Sequence, residues 1–168
     1  YASIETIPYD DYLKQGITTL FFDLDNTIID YNETRISETR FLFLEALSKK
    51  FKILIISNSF ESRVKPATAG LPFVAAACKP FSWGFKKALK RMQATPNEVL
   101  MIGDQLLTDI QGAKKLGMRA VLVKAVARKT DKIWTRYNRM REVRIINQIK
   151  LHDPKAYQEV ILPYESSY

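Results

Sequence analysis

Leu20-Phe21-Phe22-Asp23-Leu24-Asp25-Asn26-Thr27 is an apolar run of strand type that stops abruptly on two carboxylates and a hydroxyl, and the architecture of the chain follows from it. Side chains alternate along a strand, so Asp23 and Asp25 are expected on one side with Leu24 turned the other way. Two carboxylates that close repel each other, and a shared proton or a bound cation relieves the repulsion. In a central strand of an α/β sheet the pair would stand at the carboxyl end, where such sheets place their ligands. Asp, Asn and Thr are also ordinary turn formers, so the stretch by itself equally describes a strand running into a polar turn.

The flanking sequence favours the first reading. The strand is expected over 17–25, after a leading segment at 1–16 with room for one short helix. Ser37 is a plausible N-cap for a helix reaching about Lys50, with Phe41, Leu44 and Leu47 on its buried face. Phe51 to Ile56 is β-branched and almost wholly apolar, the mark of a strand covered on both faces, and it ends on Ser57-Asn58-Ser59. A helix from Glu61, limited by Pro66 and Gly70, leads to a short strand over Leu71 to Ala77 and then to Lys79-Pro80, with Pro80 suited to the first turn of a helix running to Gln93. A fourth strand, Glu98 to Ile102, stops at Gly103-Asp104, a helix over Leu106 to Leu116 follows, and Arg119 to Val123 is the fifth strand. A long helix from Asp131 to about Lys150 sets Ile133, Trp134, Tyr137, Met140 and Ile145 against an arginine-rich face. Five alternations of strand and helix predict a doubly wound, parallel, five-stranded Rossmann-like sandwich.

The composition bounds what this sandwich can be. At 168 residues and 46% hydrophobic, the chain suits one domain over 1–168, with 131–168 as a C-terminal basic helix and tail. No apolar run approaches the roughly 20 residues of a membrane span and no leader of signal-peptide form is present, so the chain is not expected to cross a membrane. Cys78 is the only cysteine, which fits a reducing, cytoplasmic setting, and His152 is the only histidine, which argues against histidine-rich metal sites and His-based triads. The net charge of +8 is uneven: Gln111 to Lys150 holds 12 Lys or Arg against Asp131 and Glu142. Such a field suits a phosphorylated substrate, an anionic membrane surface or a nucleic acid, or else is a solvated face.

The strand ends bring Asp23, Asp25 and Thr27 together with Ser57, Lys79 and Asp104 on one rim. Three clustered carboxylates call for a cation, and an all-oxygen set with room for water is what Mg²⁺ prefers. Thr27, Ser57 and Lys79 suit a phosphate, and phosphoryl transfer needs chiefly positioning and charge neutralisation. Asp23 is an acceptable covalent nucleophile, and Asp25 can protonate the leaving group and then deprotonate water.

Asp23-Leu24-Asp25-Asn26-Thr27, Ser57, Lys79-Pro80 and Gly103-Asp104 with Asp109 resemble, in order, the four motifs of the haloacid dehalogenase (HAD) superfamily of phosphatases. The resemblance implies Asp23 as nucleophile and metal ligand, and Asp25 as acid/base that also offers its carbonyl to Mg²⁺. It implies Asp104 and Asp109 at the metal, and Thr27, Ser57, Asn58 and Lys79 at the phosphate. Arg63-Val64-Lys65-Pro66 and Asn138-Arg139-Met140-Arg141-Glu142 narrow it to the YqeG-type branch of subfamily IIIA, which is similar to phosphatidylglycerophosphate phosphatases. Ser57-Asn58-Ser59 departs from that branch, in which a second asparagine is common. Neither Thr27 to Ser57 nor Ser59 to Lys79 leaves room for an inserted cap, so the site should be open to a bulky substrate such as a lipid headgroup. The basic 111–150 region would then meet an anionic membrane surface at its inner face. The alternatives are a phosphatase of soluble or macromolecular esters, and a non-catalytic RNA- or ribosome-binding module on the same scaffold. The complete acidic set argues against lost catalysis, and the absence of a stacking platform makes nucleic acid the lesser partner.

Overall fold

Five parallel strands run in the order β3-β2-β1-β4-β5 in the computed structural model, which describes residues 1–162. They are β1 (Thr19–Phe22), β2 (Lys52–Ile56), β3 (Phe73–Val74), β4 (Val99–Gly103) and β5 (Arg119–Leu122). In the central register Leu20 lies opposite Ile53 and Leu100, and Phe22 opposite Ile55 and Ile102. Strand alternation therefore splits the apolar residues into two cores. Leu20, Phe22, Ile53, Ile55 and Ile102 face α1 (Tyr9–Lys14), α2 (Glu38–Ser48) and α3 (Glu61–Ala67) through Tyr9, Leu44 and Val64. Phe21, Leu54, Ile56 and Met101 face α4 (Ser82–Met92) and α5 (Gln111–Lys114) through Phe85, Ala88 and Ala113. The sheet is thus doubly wound, as the alternation of elements requires. The intervals that could carry an inserted cap hold only α2 with β2 in one case and α3 with β3 in the other.

The structure departs from the sequence reading at several element ends. β1 stops at Phe22, so the two carboxylates lie beyond the regular strand. Asp23 extends the ladder by one bond, its N–H donating to the Ile102 carbonyl at 2.9 Å, and Asp25 sits in a tight turn. In that turn the N–H groups of Ile28 and Ile29 both donate to the Leu24 carbonyl, and Asn26 takes a left-handed backbone at φ 65°. β3 spans two residues rather than seven, because it pairs only with the end of β2 at the sheet edge. Pro80 precedes α4, whose N-cap is Phe81. The helix expected from Leu106 opens with a π-helical turn, Leu106–Ile110, before α5.

The sequence left open how the long helix α6 (Ile133–His152) packs. Ile133, Tyr137 and Met140, three of the apolar positions set against its arginine-rich face, are 82%, 51% and 64% exposed. The packed side instead carries Thr135, Glu142 and Ile146, with Arg139 largely covered. The helix docks on a rim of buried carboxylates, so polar partners are what its inner face must supply. Beyond it, α7 (Pro154–Ala156) is capped by Asp153, and the following turn returns Tyr157 and Ile161 against Ile146. The tyrosine-containing tail at 164–168 lies outside the described residues.

Phe85 is fully buried between sheet and α5, where Gly112 leaves room for its ring. Phe85→Ala should cost about 3–5 kcal/mol in urea unfolding. A loss below about 1 kcal/mol would mean that this face of the sheet is not the packed core described.

Candidate functional site

A cavity of about 330 Å³ opens at the carboxyl ends of β1, β2 and β4, lined among others by Asp23, Asp25, Ser57, Asn58 and Lys79. Behind this wall, carboxylate oxygens of Asp23, Asp104 and Asp109 lie within 4.8 Å of one another, all three residues buried. Local backbone makes the approach: Asp109 comes over from the π-helical turn because Gly103 has no Cβ, which would collide with the Asp109 side chain. The Gln105 N–H then donates to Asp109 Oδ2 at 3.1 Å.

Cations and hydroxyls hold this cluster. Lys79 Nζ lies 2.5 Å from Asp23 Oδ1 and 2.6 Å from Asp109 Oδ1, with its side chain 2% exposed. Thr27 Oγ1 is 3.2 Å from Asp104 Oδ1 and 3.5 Å from Asp23 Oδ2. Arg139, from α6, donates to both the carboxylate and the main-chain carbonyl of Asp104. Burial pushes the Asp23 carboxyl well above its usual range; Lys79 pulls it down, and Asp109 and Asp104 push it further up. Burial likewise raises Asp104 to about 6 against the pull of Arg139. For Lys79 burial works against the charge, but Asp109 and Asp23 outweigh it and the ammonium is held more firmly than usual.

Asp25 stands apart from that cluster and belongs to a different set of partners. Ser59 Oγ donates to its Oδ2 at 2.7 Å, and Arg63 donates to its Oδ1 from Nε at 3.3 Å and Nη2 at 2.9 Å. Ser57 Oγ accepts the Ser59 N–H at 3.0 Å, which leaves its own hydrogen free to donate. Asn58 clasps the main chain of Lys79, accepting its N–H at 2.6 Å and donating to its carbonyl at 3.1 Å. The far wall comes from α6 and the loop after β1: Thr135 and Asn138 line it, Tyr31 Oη is 3.4 Å from Thr135 Oγ1, and Lys132 Nζ stands 5.0 Å over the Tyr31 ring.

The structure therefore places every candidate site residue on one rim, with the side chains of Thr27 and Asn58 engaged by neighbouring groups, but it sets the Asp25 carboxylate with Ser59 and Arg63 and not in the Asp23–Asp104–Asp109 cluster. Ser59, Arg63, Asp131 and Arg139 were not assigned a part. Arg63 and Arg139 sit in stretches that carried the family resemblance, but partners 38 and 35 residues away are not legible in a sequence.

Comparison with known proteins agrees with this geometry. The HAD-hydrolase-like family model matches residues 76–140, a span holding Lys79, Asp104, Asp109 and Arg139. The probable phosphatase YqeG of Bacillus subtilis is 33% identical over 140 residues, covering 82% of this chain and 81% of that protein. This chain belongs to the HAD-like phosphatases. By that membership it is an enzyme that hydrolyses phosphate esters. A shorter match, 50% identical over 46 residues and covering 27% of this chain, is to a glyceraldehyde 3-phosphate phosphatase of Pyrococcus furiosus, of which it covers 19%. The same fold is seen in an uncharacterized protein from Listeria monocytogenes serotype 4b, which superposes with a TM-score of 0.54 at 16% identity over 79% of this chain and all of that one.

The buried carboxyls make stability depend on pH. Burial raises Glu142 to about 7, as it raises Asp104 to about 6. Both groups hold protons more tightly folded than unfolded, so unfolding releases protons and stability falls as pH rises from the unfolded values near 4 through 7. The metal-free protein should have a lower urea midpoint at about pH 8 than at about pH 5.5, with Glu142 and Asp104 both contributing to the loss. Glu142→Gln should narrow that difference; a midpoint that rises toward pH 8 would contradict it.

Proposed function

We propose that the chain is a Mg²⁺-dependent phosphomonoesterase that works through an aspartyl-phosphate on Asp23. The observation that carries this reading is the placing of Asp23 and Asp25 on one cavity, with Asp23 alone of the two joined to the Asp104–Asp109–Lys79 cluster. The donor set fits Mg²⁺: three buried carboxylates offer only oxygen, and Lys79 and Arg139 do not neutralise them all, since Arg139 also faces Asp131 and Glu142. Asp23, Asp104 and Asp109 would hold the ion. Bound there, it would neutralise charge on the phosphoryl oxygens during transfer.

The chain's own residues divide the remaining work. An Asp23 carboxylate oxygen attacks phosphorus, and the ester oxygen leaves with a proton from Asp25. In the second half, Asp25 takes a proton from water, the resulting hydroxide attacks the phosphoryl group, and inorganic phosphate departs from a regenerated Asp23. Two of the three Lys79 ammonium hydrogens serve carboxylates, which leaves one for a phosphate oxygen. The free hydrogen of Ser57 serves another. Thr27 steadies Asp23 and Asp104, and Asn58 fixes the main chain of Lys79.

The substrate class in this reading is the headgroup phosphate of an anionic lipid, of phosphatidylglycerophosphate type. Supporting it are the missing cap, Phe60 on the cavity wall at 78% exposure, and Phe81, two residues after Lys79 in the chain, at 70%. The outward side of α6 adds Ile133, Tyr137, Met140 and Leu151 with Arg136, Arg141, Arg144 and Lys150 about them, the composition of a helix lying in a lipid interface. Among the described residues no helix is long and apolar enough to cross a membrane.

Phosphate release with Mg²⁺, from phosphatidylglycerophosphate in mixed micelles and from a panel of water-soluble monoesters, tests the reading. Turnover should need Mg²⁺, favour the lipid, and vanish in Asp23→Asn. Activity on the water-soluble esters alone keeps the chemistry and removes the lipid; equal activity in Asp23→Asn removes the nucleophile. In flotation at low salt the protein should rise with anionic and not with neutral liposomes, and equal partition would remove the membrane contact.

A further inference from the structure

Arg139 is the centre of a buried ionic junction that the chemistry above does not use. Its side chain is 11% exposed and is contributed by α6, yet it reaches into the acidic rim. Nη1 donates to the Asp104 main-chain carbonyl at 2.8 Å while Nη2 pairs with the Asp104 carboxylate through Oδ2. Nε is 3.0 Å from Asp131 Oδ2, and Nη1 lies 3.7 Å from Glu142 Oε2. Asp131 in turn accepts from Asn26 Nδ2 at 2.5 Å, and Glu142 accepts the Leu107 N–H at 3.2 Å. One guanidinium thus joins α6 to the turn after Asp25, to the loop before α6, and to the start of the π-helical turn that carries Asp109.

We infer that Arg139 is a positioning residue for the cation site, and that docking of α6 and binding of Mg²⁺ are coupled through it. This rests on the Mg²⁺ reading of the Asp23–Asp104–Asp109 cluster. The planar fork holds the carbonyl and Oδ2 of Asp104 together, a two-point hold that fixes the carboxylate plane. Oδ1 is left facing Thr27. An ion seated there meets a donor already oriented, so less ordering is left to be done on binding. Groups that orient a ligand from behind are typically worth about 10–100-fold in metal affinity. Linkage makes the effect mutual: if the docked helix raises affinity for the ion, the ion must favour the docked helix. α6 also forms the far wall of the cavity through Thr135 and Asn138, so the same coupling ties substrate contact to an intact cation site.

Calorimetric titration with Mg²⁺ alone, on the full chain, separates this role from a merely structural one. Arg139→Gln should keep the far-UV circular dichroism of the wild type and bind Mg²⁺ about 10–100-fold more weakly. Arg139→Lys, which can reach one acceptor but not both, should fall between the two. Asp131→Asn, which touches Arg139 but no proposed ligand, should weaken binding in the same direction by less. Hydrogen exchange supplies the second readout: Mg²⁺ should slow amides of 133–142 in the wild type, and this slowing should be lost in Arg139→Gln. Folded Arg139→Gln with wild-type affinity, or exchange in α6 indifferent to Mg²⁺ in a wild type that binds it, overturns the inference and leaves the proposed function standing. If Arg139→Gln fails to fold, undiminished affinity in both Arg139→Lys and Asp131→Asn overturns it equally. A wild type that binds no Mg²⁺ removes the metal reading itself, a distinguishable result.

Discussion

Three carboxylates held within 4.8 Å of one another and away from water are the constraint on which the rest of the structure depends. Each would gain several kcal/mol by returning to solvent, and their mutual repulsion adds to that cost. The fold answers with groups drawn from distant parts of the chain. Lys79 arrives from the loop after β3 and bridges Asp23 and Asp109. Thr27 comes from the turn after β1, and Arg139 from α6. Gly103 supplies space rather than charge. Removing any of these leaves a buried charge short of a partner, which is why the site and the framework cannot be separated here.

The helix α6 does work that an inserted cap would do elsewhere. It closes one side of the cavity with Thr135 and Asn138 and fastens itself to the rim through Arg139. It also turns an apolar and basic face outward. Phe60, which also lines the cavity, is 78% exposed.

Much of this was legible in the sequence because it depends on local patterns. Unbroken apolar runs ending on polar residues marked β1, β2 and β4, and with them the rim, since in a parallel sheet all carboxyl ends lie on one side. Asp23, Asp25, Asp104, Lys79 and Ser57 followed directly, and Asp109 only through the family resemblance. The packing of α6 was not legible, and its apolar positions Ile133, Tyr137 and Met140 lie on the outside. A helix that docks on charged groups buries Arg139 and Glu142 and shows its apolar residues, and nothing in helical periodicity reveals which surface it will meet. The pairing of Asp25 with Ser59 and Arg63 was hidden for a related reason: hydrogen bonds across 34 to 38 residues are decided by loop geometry.

The central claim is that Asp23 becomes covalently phosphorylated and that Asp25 governs both the leaving group and the attacking water. Asp25→Asn should slow dephosphorylation more than attack on a substrate with a good leaving group, and so accumulate the intermediate. Acid-quenched Asp25→Asn, digested and examined by mass spectrometry after exposure to such a monoester with Mg²⁺, should carry a phosphoryl group on the peptide containing Asp23. Turnover by the wild type without any label in that variant, or a label on a different residue, would contradict the account.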